Sequence, residues 1–86
     1  MNMEVGTRLL LEECFLSVKC GHKDFVGRYR GRRAEDAFLV WVDKTGLGAK
    51  LSSLLGKKQT GEYLKAVVEK GSLGARLFEE KVLKDG

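Results

Sequence analysis

Apolar and polar positions alternate most clearly between Ala37 and Val42. Phe38, Val40 and Val42 fall on one side of an extended chain and Leu39 and Trp41 on the other, so this run predicts a strand covered on both faces. Thr7 to Val18 is rich in Leu, Phe and Val. It predicts one long strand bulged near Glu12 and Glu13, or two shorter ones. Phe25 to Arg30 predicts another strand, with Phe25, Gly27 and Tyr29 facing one way and Val26, Arg28 and Arg30 the other.

Toward the end of the chain, Leu64, Ala66 and Val68 alternate with Tyr63, Lys65 and Val67. Glu69-Lys70-Gly71-Ser72 then reads as a turn and Leu73 to Leu83 resumes, which predicts a hairpin. The same residues also fit helical spacing. Tyr63, Leu64, Val67 and Val68 would line one helix and Leu73, Leu77, Phe78 and Val82 a second, with Ser72 as its N-cap. Between these regions, Ala49 to Leu55 has helical spacing and Gly56 stands where a helix would end, so a short helix is expected near residues 49–56.

Glycine occurs 11 times and proline not at all. The glycines fall between the apolar runs, and such punctuation favours many short strands. The pattern as a whole predicts a mainly β fold: a small antiparallel β-barrel of about five or six strands with one short helix, in a single domain over residues 1–86.

Size narrows the field. A chain of 86 residues and 9.6 kDa excludes a large α/β enzyme, a multi-domain receptor and a repeat array. Hydrophobic residues at 43% and charged residues at 33% are a soluble globular balance. No secretory signal is apparent, since Leu9-Leu10-Leu11 is cut short by Glu12-Glu13, and no apolar run has the length of a membrane span. A cytoplasmic protein is expected, with Cys14 and Cys20 as reduced thiols.

Little supports catalysis. His22 is the only histidine, and Cys14, Cys20 and His22 lack the paired spacing of a structural zinc site. Gly46-Leu47-Gly48-Ala49-Lys50-Leu51 begins like a dinucleotide fingerprint but ends in leucine, and Gly56-Lys57-Lys58 lacks the remaining residues of a P-loop. Neither enzymatic activity, nor a metal, nor a cofactor is expected.

Charge is more informative. The net charge is +4 and the pI about 9.2. Residues 19–33 hold Lys19, Lys23, Arg28, Arg30, Arg32 and Arg33 against Asp24 alone, more than the whole chain's excess. A local basic cluster on a near-neutral body points to an anionic partner at one place. Guanidinium forks bind phosphate bidentately, and Tyr29 and Trp41 offer aromatic faces on which a base could stack.

These residues resemble the PilZ superfamily, small β-barrels that bind cyclic di-GMP. Arg28-Tyr29-Arg30-Gly31-Arg32 matches its Arg-x-x-x-Arg segment, and Asp43-Lys44-Thr45-Gly46-Leu47-Gly48 is similar to its (Asp/Asn)-x-Ser-x-x-Gly motif. The stretch from Val67 to Phe78 is similar to the last hairpin of such a barrel. A second alignment resembles the companion barrel that precedes PilZ in flagellar-brake proteins, through Val5-Gly6-Thr7-Arg8-Leu9, Phe25-Val26-Gly27, Phe38-Leu39-Val40, Tyr63-Leu64, Gly71-Ser72 and Val82-Leu83.

The resemblance implies a non-enzymatic regulatory module in cyclic di-GMP signalling. Arg28 and Arg32 would clamp phosphates and a guanine, with Asp43 and Thr45 on the ligand's other side and Gly48 completing the second motif. The module would bind the messenger or dock a protein partner. Two other readings stand beside it. One is a nucleic-acid-binding β-barrel of Sm, SH3 or OB type, in which Arg28, Arg30, Arg32 and Arg33 contact phosphates. The other is a protein-interaction or inhibitor domain that dimerises or docks through Leu39 and Trp41.

Overall fold

The computed structural model describes residues 5–85, and these form five α-helices with no strand among them. They are α1 (Val5–Arg28), α2 (Arg32–Lys44), α3 (Leu47–Leu55), α4 (Lys57–Lys70) and α5 (Ser72–Asp85). The expected β-barrel is therefore overturned. So are the PilZ-like and Sm, SH3 or OB-like functional readings that depended on it. The expected short helix is present as α3, and the helical alternative for residues 62–83 is the one adopted, in α4 and α5.

The buried positions show why the helices win. In α2 the inward residues are Ala34, Phe38 and Val42, spaced by four, with Trp41 half-buried beside them. Leu39 and Val40, required as inward positions by a two-faced strand, are exposed. In α4 Thr60, Tyr63 and Val67 point inward at spacings of three and four. Helix α1 buries Leu11, Cys14, Phe15 and Val18, a helical stripe that its outward apolar residues hide in the sequence. With no proline in the chain, nothing interrupts 24 consecutive helical residues in α1.

The glycines do punctuate the chain, but between helices. Among the described residues those with positive φ are Gly31, Gly46, Gly56 and Gly71, and each stands at a helix junction. Gly31 and Gly71 combine φ 60° with ψ near −135°, a conformation open to glycine alone. Links this short return each helix against its predecessor. Helix α1 touches all four others and forms the spine of the bundle.

The core gathers on that spine. Phe15, Tyr63 and Phe78 form an aromatic centre, with Phe15 and Tyr63 rings 4.4 Å apart and Tyr63 and Phe78 rings 5.2 Å apart. The Tyr63 hydroxyl donates to the Phe15 carbonyl at 3.4 Å, and burial pushes the phenol's pKa far up. Leu11, Val18, Phe38, Leu51 and Val67 complete a fully buried cluster. Trp41 closes its edge beside Phe25 and Phe38, with its indole lying on Gly21, where a larger residue would collide with the ring. No helix of the described residues is long and apolar enough to cross a membrane.

Candidate functional site

The four arginines singled out in the sequence lie together at one end of the bundle. Arg28 ends α1, Arg30 lies in the turn, and Arg32 and Arg33 open α2. Gly31 permits the reversal, and its backbone carbonyl accepts the first amide bond of α2, from Ala34 at 3.1 Å. All four side chains are exposed, and among the described residues none of them forms an ion pair. Arg32 and Arg33 sit on the first turn of α2, where the positive end of the helix dipole opposes them. Fold stability alone disfavours this arrangement: four guanidinium groups in six residues, none of them ion-paired among the described residues, two of them at a helix end where Glu35 is the one acid of the first turn.

Tyr29 stands among these arginines. Its ring is exposed on one side and stacks on Phe25 on the other, with centroids 5.9 Å apart and planes 16° from parallel. Trp41 is different. It is half-buried in the contacts described above and acts first as a packing residue on the α1–α2 interface.

Asp43, Thr45 and Gly48 lie at the opposite end of α2. Eleven or more residues of helix separate them from Arg32, a distance of about 16–20 Å at 1.5 Å per residue. The Thr45 hydroxyl donates to the carbonyls of Trp41 at 2.9 Å and Val42 at 3.2 Å and so finishes the C-terminus of α2. Gly48, on the first turn of α3, has room for a side chain, whose Cβ would meet Val42 at ordinary contact distance. A two-sided clamp built from both motifs is thus not assembled, and the messenger-binding reading falls on geometry as well as on fold.

The structure brings other residues to the arginine end that the linear sequence did not connect with it. An open hollow of about 410 Å³ between the α1–α2 and α4–α5 turns is bordered by Arg30, Tyr29 and Lys70, with Glu35 and Glu69 beside them. His22 lies in its wall, edge-on to Phe38 at 5.1 Å and against Gly71. Burial lowers the imidazole pKa from its ordinary value, and the Glu35 carboxylate partly opposes this. Lys70 is 40 positions from Arg30, so only the fold could reveal their proximity.

Cys14 faces the core and Cys20 faces solvent. Among the described residues no three His, Cys, Asp or Glu side chains are grouped to hold a metal ion. What the fold and site define is a small helical bundle with a cationic end. Compared with known protein families, with characterised proteins and with solved structures, the chain shows no match to any of them.

Proposed function

We propose that this bundle is a binding module for the phosphate backbone of nucleic acid, which it grips with the turn from Arg28 to Arg33. The observation that carries the reading is the unpaired state of the four guanidinium groups at an end where the helix dipole disfavours two of them. A phosphate backbone supplies anions at regular spacing, accepts planar forks bidentately, and also receives the free amides at the start of α2. The exposed ring of Tyr29 offers a stacking face in the same place.

The test is a fluorescence-anisotropy titration of the full chain with labelled single-stranded RNA, single-stranded DNA and duplex DNA, with polyglutamate as a competitor. Saturable binding that weakens with salt at a slope of about two to four counterions supports the reading. Replacing Arg28, Arg30, Arg32 and Arg33 by Ala abolishes that binding while leaving the helical circular-dichroism spectrum unchanged. Loss of affinity for single strands alone on Tyr29→Ala assigns the ring to base stacking. No saturation at about 50 mM salt, or equal competition by polyglutamate, overturns nucleic acid as the partner.

A further inference from the structure

Helix α1 is apolar on two opposite faces. One face is the core stripe. The other presents Leu9 and Leu16, seven residues apart and 58% and 55% exposed, with Cys20 one turn further on. A second apolar stripe at this spacing is what a helix carries when another helix covers it. Beside Leu16 a groove of about 470 Å³ runs between α1 and α5, with Leu73 on its far wall and Lys19, Lys23 and Arg76 around it.

We propose that a second copy of this chain fills this groove, the two α1 helices running antiparallel about a two-fold axis at Leu16. The charge pattern selects both the occupant and its direction. Glu12 and Glu13 precede Leu16 by four and three residues, and Lys19 and Lys23 follow it by three and seven. Antiparallel pairing about Leu16 sets Glu13 of each copy opposite Lys19 of the other and Glu12 opposite Cys20, three residues or about 4.5 Å along the axis from Lys23, whereas parallel pairing would set like against like. Lys19 already pairs with Glu79 at 3.3 Å. Lys23 and Arg76 have no ion-pair partner among the described residues, and they remain to meet the incoming Glu12. The other charges of α1 do not oppose this. Arg8 already interacts within its own chain, and Asp24 borders a separate hollow with Arg28 and Trp41. Isologous pairing of this kind closes at two copies.

Sedimentation equilibrium of the full chain tests the proposal. The expected result is a concentration-dependent species of twice 9.6 kDa. Leu16→Glu raises the dissociation constant at least about tenfold, and an unchanged thermal melt at low concentration shows that this exposed site leaves the fold intact. Glu12→Lys and Lys23→Glu each weaken the dimer about threefold to tenfold, and the double variant restores it, because the swapped charges meet again across the axis. A monomer at every attainable concentration overturns the proposal, as does a dimer indifferent to Leu16→Glu or a double charge variant no tighter than the singles. The arginine turn lies outside this interface, so its alanine variants leave the dimer intact and the two proposals fail separately.

Discussion

Gly74 of α5 lies directly against the backbone carbonyl of Ala66 in α4, closer than any side chain on Gly74 would permit. The two helices approach there because one of them has no Cβ. A methyl at Gly74 would meet the carbonyl carbon and oxygen of Ala66, neither of which can turn aside, so α5 must move. Gly74→Ala is expected to destabilise the bundle by about 1–3 kcal/mol, the usual range for overpacking. Gly61 is the internal control. It sits in α4 with nothing near the position a Cβ would take, so Gly61→Ala removes only backbone freedom and stabilises by about 0.5–1 kcal/mol. Urea denaturation of both variants checks the opposite signs. Equal effects would refute the close approach.

Thr60 is buried, and its hydroxyl has no hydrogen-bond partner among the described residues. An unmet buried hydroxyl costs about 1–3 kcal/mol, and valine has the same shape without it. Thr60→Val is expected to raise stability by about 1 kcal/mol, since the two residues have similar helix propensity. Thr60→Ser, which keeps the hydroxyl and loses the methyl, should lower it. A valine variant less stable than wild type would mean that the hydroxyl has a partner after all.

How much of this was legible in the sequence depends on the element. The spacing of Ala34, Phe38 and Val42 is helical, but Leu39 and Val40 fill the intervening positions and make the run look like a two-faced strand. Leu9 and Leu16 do the same to α1, because an apolar outer face erases the polar half of the helical period. Gly31, Gly46, Gly56 and Gly71 were visible as breaks, but a break between helices and a break between strands are written with the same residue. The absence of proline leaves each apolar run free to continue as helix. At the candidate site, the cluster from Arg28 to Arg33 could be read directly because it is contiguous. The separation of Asp43 and Thr45 from it could not, because extended and helical chains place the same sequence gap at different distances and on different faces.

His22 gives the fold a pH dependence whose sign can be worked out. Its pKa in the folded bundle is lowered from 6.5 by burial, with Glu35 of α2 opposing the shift; Arg30 of the turn and Glu69 and Lys70 of α4 border the same hollow. As pH falls below 6.5 the unfolded chain takes up a proton before the folded one does, so stability falls until the folded imidazole also titrates. Above 6.5 both states are neutral and the effect vanishes. Denaturation midpoints at about pH 7.5 and about pH 5 should therefore differ in wild type and converge in His22→Gln. A larger midpoint at the lower pH in wild type would show that His22 is stabilised as the cation instead.

The arginine end offers a prediction in which stability and binding move in opposite directions. Arg32 and Arg33 occupy the first turn of α2, and the Gly31 N-cap supplies no side-chain hydrogen bond. Cations at a helix N-terminus face the positive end of the dipole, and acids there gain about 0.3–1 kcal/mol each. Arg32→Glu with Arg33→Glu should therefore raise the melting temperature, and the rise should shrink in high salt as the dipole interaction is screened. The same variant should lose nucleic-acid binding, because it replaces two phosphate ligands with two anions. A more stable protein that no longer binds is the pattern expected where charges are kept for a partner at the fold's expense. If the double variant is less stable than wild type, the two guanidinium groups support the fold. The turn then keeps its charge for the fold and not for an anionic partner.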